Sequence, residues 1–226
     1  MTAFPGFPKK TITFLANLSR HNDREWFQRH RDDYEEYWWE AAQDFVVAAG
    51  RQLKKLDRGI NAEPRVNRSI FRINRDIRFS ADKRPYKDHL DLWFWEGDRS
   101  EAVSGYYFRL TPKRLGLGAG AHRFDRNRLA VYREAVVDAG SGASLKRAVT
   151  TVEKAGCDVR GEHYKTVPRG SDVSGDAAER LIRHNALWAA EEQRIPSVVF
   201  TPGVVDYCMD RWRAMAPIHR WLVRNL

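Results

Sequence analysis

Cysteine is nearly missing from this chain: Cys157 and Cys208 stand far apart among 226 residues, with no Cys-x-x-Cys. A disulfide-stapled secreted scaffold is thereby excluded, and a reducing, cytoplasmic setting is expected. Long apolar runs are missing too. Stretches such as Phe45 to Ala49 fall far short of the ~20 residues a membrane span requires, so no membrane partner is expected. The opening MTAFPGFPKK puts proline and lysine where a secretory leader needs an apolar segment, and no signal peptide is expected. The 7 histidines form no HxH, HxxxH or HExxH, which argues against a metal site on one segment. Walker A, GxSxG, RNP1 and zinc-finger spacings are absent, as is the Asp/Glu-x-Lys of metal-dependent nucleases. No metal and no cofactor is therefore expected, and no motif identifies a reaction.

What is present is enough apolar matter for a core: 42% hydrophobic residues, including 11 Phe, 8 Tyr and 8 Trp. A chain this long buries roughly 70% of the surface its unfolded form exposes, so it needs no metal or disulfide to fold, and one domain over 1–226 is expected. The formal charge is +9, from 39 Lys+Arg against 30 Asp+Glu. It is concentrated. Arg65, Arg68, Arg72, Arg75, Arg78, Lys83, Arg84 and Lys87 face only Asp76 and Asp82 in the same segment, so 65–87 alone carries two thirds of the excess.

Periodicity divides the chain into helical 10–58, strand-rich 66–120 and helical 125–226. Thr11 to Leu18 reads as a short helix, and Asn22 with Glu25 as a capping-box start for the next. From Trp26 the apolar positions recur every three to five residues, which predicts one long helix or two, with the charged run 29–33 as the break. From Ser69 the pattern changes. Phe71, Ile73, Ile77 and Phe79 alternate with Arg72, Asn74, Asp76, Arg78 and Ser80, which predicts a strand, although a helix through Ile70, Ile73 and Ile77 fits as well. His89 to Trp95 and Gly105 to Leu110 read as a hairpin across GDRS at 97–100, followed by a strand from Leu115 to Gly120. Gly116, Gly118 and Gly120 leave one face of that strand bare, so a neighbouring ring such as Tyr106 or Tyr107, or a ligand, must approach its backbone; the GxGxxG spacing of a dinucleotide loop is absent.

Later helices are expected from Asp125 to about Ala139, from Ser144 to Gly156, from Asp176 through Trp188, from Thr201-Pro202, and from Pro217, with a loop over 161–175. The expected class is α+β, a central mostly antiparallel sheet of about four or more strands flanked by N-terminal and C-terminal helices.

The segment SIFRINRDIRFSADKRPYK, 69–87, is the main candidate for function. Arg72, Arg75, Arg78, Lys83, Tyr86 and Lys87 are its candidate ligand-binding residues, with Trp26 a candidate for the wall. Guanidinium forks match phosphate and carboxylate oxygens two at a time, so an anionic small molecule is the expected partner. Asp76 between arginines would stay ionised and orient them. Asp76, Asp82 and Lys83 are the candidates should the site be catalytic; an Asp76/Asp82 acid and base pair requires the chain to turn, since an extended strand separates them by roughly 20 Å. Ser80-x-x-Lys83 matches a penicillin-binding motif without its companion motifs. Two other readings use the same residues: a nucleic-acid-binding module on the basic 65–87 segment, and a structural or interaction protein whose signature is a buried salt-bridge network.

The chain resembles the domain of unknown function 2461 family of conserved hypothetical proteins. The resemblance rests on GFPKKTITFL, NDREWF (Asn22 to Phe27), the long string ending DKRPYK, GYYFRLTP, GLGAG, the VPRG of Val167 to Gly170 and the closing APIHRWL. It implies no reaction, cofactor or partner, but it makes 72–87 part of a recurring signature. Members of the family often carry a proline in the first long helix where this chain has Glu40-Ala41-Ala42, which implies a less kinked helix here.

Overall fold

The computed structural model describes residues 4–171 and 173–226. The elements in chain order are α1 (Lys9–Arg20), α2 (Arg24–Arg29), α3 (Arg31–Tyr34), a π-helical turn (Glu35–Glu40) and α4 (Ala41–Leu56). Strands β1 (Ile60–Asn61), β2 (Leu90–Glu96), β3 (Gly105–Leu110) and β4 (Arg114–Ala121) follow. Then come α5 (Arg126–Val137), α6 (Ala139–Lys154), β5 (Asp158–Glu162), α7 (Asp176–Ile182), β6 (His184–Arg194), a 3-10 turn (Ser197–Phe200) and α8 (Val204–Asn225). The fold is α+β, as the sequence pattern predicts, with six antiparallel strands in the order β1-β2-β3-β4-β6-β5.

Two compact units emerge from the packing. The first comprises Met1–Phe94, Tyr107–Leu117 and Glu192–Asp210. Its α1 buries Thr11, Phe14, Leu15 and Leu18, the i, i+3, i+4, i+7 stripe of an amphipathic helix. The expected break in the next helix falls at His30, between α2 and α3. Asp23, not Asn22, caps α2: its carboxylate accepts from the Trp26 N–H at 2.8 Å. Asn22 is used elsewhere, holding the backbone of Tyr86 through both its amide oxygen and nitrogen. The helix before Ala41 is not uniformly α, because the π-turn inserts one extra residue per turn at Glu35–Glu40. Phe7 and Phe45 pack against Phe108 of β3 at ring distances of 5.5 and 4.7 Å.

The second unit comprises Trp95–Tyr106, Gly118–Glu191 and Arg211–Leu226. Asp125 and Asp138 cap α5 and α6 through side-chain carboxylates. Tyr132 donates its hydroxyl to the Leu181 carbonyl at 2.8 Å, and the Trp221 indole N–H donates to the Ser141 carbonyl at 2.9 Å. Gly120 adopts φ +134, where a Cβ would collide with the Leu187 carbonyl and lie 2.6 Å from Trp188 Cα. The bare glycine strand is thus approached at this end by the backbone of β6, not by Tyr106 or Tyr107. Gly120→Ala is expected to cost about 2 kcal/mol, from forced backbone geometry and a close strand contact, measured by urea unfolding.

Three further expectations fail, each for a physical reason. The helix from Asp176 ends at Ile182, and 184–194 is a strand paired with β5 in the register Asp158↔Ala190. Pairing on both edges overrides the helix preference of Asn-Ala-Leu-Trp-Ala-Ala-Glu-Glu. The region beyond residue 125 is therefore not wholly helical, and β5 also takes the first residues of the expected 161–175 loop, of which Asp172 lies outside the described residues. Pro217 does not open a helix; it sits inside α8. Buried Trp212, Met215, Ala216, His219 and Leu222 continue the helical period across it, so packing compensates for the lost backbone bond. Finally, residues 69–80 form no regular strand, a point on which the site depends.

Candidate functional site

The signature segment starts beside the sheet and then leaves it. The Trp93 N–H donates to the Ser69 carbonyl at 2.9 Å and the Phe71 N–H to the Asp91 carbonyl at 3.1 Å. Beyond Phe71 the chain doubles back on itself. Lys87 N–H reaches the Ile73 carbonyl and Arg75 N–H the Pro85 carbonyl, both at 2.8 Å, with an isolated bridge between Asn74 and Tyr86. The alternating pattern is real, but only Ile73 of its apolar set is fully buried, and Phe79 is 96% exposed. Two aspartates bend the excursion. Asp76 accepts from the Arg78 backbone N–H at 3.3 Å and Asp82 from the Arg84 N–H at 3.0 Å, each an Asx-type turn that competes with extended pairing.

The same carboxylates hold the guanidinium groups. Asp76 receives Arg78 Nε and Nη2 at 3.0 and 2.7 Å; Asp82 receives Arg84 Nη2 at 2.7 Å and Arg75 Nη1 at 2.8 Å. The bond from Arg78 holds the Asp76 carboxyl at about 2, and the bond from Arg84 holds Asp82 lower still. Both are therefore ionised at neutral pH, Asp76 tied to Arg78 and Asp82 to Arg84 and Arg75, and neither offers a proton to a substrate. Lys83 donates Nζ to the Ile77 carbonyl at 3.0 Å across the loop. Tyr86 is buried with its ring stacked on Phe27 at 4.2 Å and 16°, a packing role that anchors the loop base to α2. Trp26 lies with α1 and α2, lining a separate pocket.

Arg72 and Lys87, at the mouth of the excursion, are placed differently. Lys87 is half-buried, its ammonium 5.3 Å from the Phe71 ring centroid. Burial lowers its pKa; Asp91 opposes that shift, and Arg72 and Arg109 add to it. The sequence pattern alone does not single out Asp91. Its side chain, 8% exposed, accepts from Arg109 Nε and Nη2 at 2.6 and 2.7 Å, from the Tyr107 hydroxyl at 2.7 Å, and faces His89 Nε2 at 3.3 Å. Burial alone would raise this carboxyl, but the bonds from Arg109 and His89 outweigh it and hold Asp91 far below the usual carboxylate range. Burial and the Asp91 charge in turn keep the Tyr107 phenol protonated. On the far side, His89 Nδ1 meets Asp88 at 3.2 Å, and Asp88 accepts from Ser19 at 3.0 Å. His89 thus lies between the carboxylates of Asp88 and Asp91.

A signal for this cluster exists in the hairpin. The Glu96 N–H bonds the Ser104 carbonyl, and counting five residues back from Glu96 and five on from Ser104 sets Asp91 opposite Arg109. An acid and a base in register within two mostly apolar strands mark a polar site on one sheet face. Gly116 of β4 adds no side chain beside the Cβ of Arg109.

A second buried polar chain lies in the other unit. Ser104 Oγ and His219 Nδ1 are 2.8 Å apart, and His219 Nε2 lies 2.9 Å from Glu96 Oε2. It has the composition of a hydrolase triad. Ser104 and His219 are nonetheless both almost fully buried, so the serine oxygen is not presented to a substrate.

Over residues 10–221 the chain matches the family described as conserved hypothetical protein (DUF2461), and it belongs to that family. No curated protein and no solved structure matches it. Among the described residues, no helix is long and apolar enough to cross a membrane.

Proposed function

We propose that the protein binds an anionic small molecule, phosphate- or carboxylate-bearing, at the mouth of the signature loop. Arg72, Lys87 and Arg109 hold the anion, Asp91 orients Arg109, and Arg75, Arg78 and Lys83 form the outer rim. One observation carries this reading. Lys87 is half-buried beside two guanidinium groups, and the acid that acts on it among the described residues, Asp91, is already engaged by Arg109, Tyr107 and His89. An uncompensated cation in a partly desolvated place gains most from a bound counter-ion. With Asp76 and Asp82 ionised and paired, the reading is one of binding. Cys157 and Cys208, which form no disulfide among the described residues, support placing it in the reducing cytoplasm.

Titration with inorganic phosphate, pyrophosphate and citrate by calorimetry tests this. Lys87→Ala and Arg72→Ala should each weaken the best of these anions about tenfold, the loss of one charge-assisted bond, while Lys113→Ala leaves it unchanged. The bound anion should also raise the Lys87 pKa, read from its side-chain nitrogen resonance. Absence of binding by all three anions sinks the proposal.

A second reading, nucleic-acid binding, is favoured by the loop tip, where Phe79 is exposed and the Arg78 guanidinium lies 5.8 Å from its ring centroid. Stacking of a base on Phe79 would require affinity for single strands that falls with salt by about 0.7 in log–log slope per phosphate contacted. A salt-independent or absent response in a gel-shift series excludes it.

A further inference from the structure

Trp26 of the NDREWF segment lines a pocket of its own. The pocket measures about 190 Å³ and is lined by Lys10, Thr13, Phe14, Asn17, Trp26, His30, Asp33 and Tyr37. Its walls are ring systems fixed from behind. The Asp23 cap holds the Trp26 backbone, and the Trp26 and His30 rings lie near-parallel at 4.0 Å and 14°. His30 is fixed in turn by Nδ1, which donates to the Trp26 carbonyl at 2.8 Å. Phe14 lies 6.0 Å from Trp26 between centroids. Tyr37 comes from the π-turn, a distortion that recurs at functional sites, and α1 pins it twice. Its hydroxyl accepts from Lys10 at 2.6 Å and its carbonyl from Thr11 at 2.5 Å.

Around these rings stands a mixed polar edge. Among the described residues, the half-buried side chains of Asn17 and Asp33 make no hydrogen bond or ion pair, and Lys10 commits one of its three N–H groups to Tyr37. Asp33 accepts, Lys10 donates, and the Asn17 amide does both. A purely apolar ring would leave the Asn17 and Asp33 groups facing it unpaired, which is costly wherever water is excluded. The volume is close to that of an engineered cavity that takes one benzene ring, so it suits one flat ring system with the rest of the ligand outside.

We propose that this pocket binds an amino-bearing nitrogen heterocycle of the nucleobase type, presented as a nucleoside. The ring lies against the aromatic walls, its exocyclic amine donates to Asp33, and its ring nitrogens or carbonyls accept from Lys10 and Asn17. Stacking of a base on protein aromatics is worth about 1–3 kcal/mol and gives affinity; the polar edge selects heterocycles over hydrocarbons. The proposal is independent of the anion site, because a nucleoside carries no phosphate.

Saturation-transfer NMR on the full chain with adenosine, guanosine and cytidine is the test, with indole as the apolar control. Base protons should receive saturation more strongly than ribose protons. Asn17→Ala and Asp33→Ala, both half-buried and free of internal bonds, should fold normally by circular dichroism and weaken binding about tenfold each. Trp26→Leu should abolish it, with the two milder variants deciding the matter if that one unfolds. No transfer from any of the three nucleosides, transfer undiminished in both Asn17→Ala and Asp33→Ala, or indole binding as tightly as adenosine would each overturn it.

Discussion

Asp91→Ala is expected to lower the unfolding free energy by about 3 kcal/mol. The carboxylate is nearly inaccessible and receives Arg109, Tyr107 and His89, so its removal leaves donors without an acceptor in a dry place. Breaking a buried ion pair typically costs ~3–5 kcal/mol. The lower end applies because Arg109 is 45% exposed and can recover water. Asp91→Asn keeps the shape and tests the charge separately through pH. The folded-state pKa of Asp91 lies below its unfolded value of about 3.9, so its contribution is fully present above that value and is lost as pH falls toward the folded value. Wild-type stability should therefore decline from about pH 4 downward, and the Asp91→Asn curve should decline less over the same range. Parallel curves for the two proteins in urea titrations would show that the carboxylate charge carries no stability. The anion site adds a second readout. With the neutral residue at 91, Lys87 loses the one group that raises its pKa, so its titration should move further down.

The charge excess at 65–87, the hairpin β2–β3 and the glycine strand were all legible in the sequence, because each is a local pattern: a run of like charges, a period of two around a turn, a glycine at every second place. What local pattern could not show is who pairs with whom. Phe71 to Phe79 alternates like a strand, yet no strand lies beside its outer half, and the Asp76 and Asp82 side chains satisfy nearby backbone N–H groups instead. Residues 184–190 favour a helix in isolation, but their place between β4 and β5 makes them a strand. The candidate site shows the same division. The cations Arg72 and Lys87 follow from counting charges. The acid that organises their surroundings, Asp91, is a single residue inside an apolar strand, and its significance appears only once Arg109 is seen across the hairpin. Asp23 takes the cap expected of Asn22 for a comparable reason: the long-range partner of Asn22, Tyr86, is invisible to a reading of α2 alone.

His219→Ala should cost about 4 kcal/mol, the largest single effect expected in the second unit. Two losses add. The imidazole is 0% exposed and packs 4.7 Å from the Tyr106 ring, so truncation leaves a cavity of most of a ring, in the range of ~2–5 kcal/mol found for large-to-small core changes. It also removes the shared partner of Ser104 and Glu96. Glu96 Oε2 can only accept, so His219 Nε2 carries the hydrogen in that bond, and the Ser104 hydroxyl completes the chain at Nδ1. Glu96 is 25% exposed and recovers some water, whereas Ser104 is buried and recovers none. The distinguishing experiment is a double-mutant cycle. If the chain acts as one network, Ser104→Ala should cost about 1 kcal/mol in the wild type and close to nothing in His219→Ala, giving a coupling of similar size by urea unfolding. Additive losses would mean that His219 acts by filling space alone. Ser104→Ala should also leave phosphate binding at Arg72 and Lys87 unaltered, since this chain serves the fold of its own unit; weakened binding in a normally folded Ser104→Ala protein would contradict that structural role.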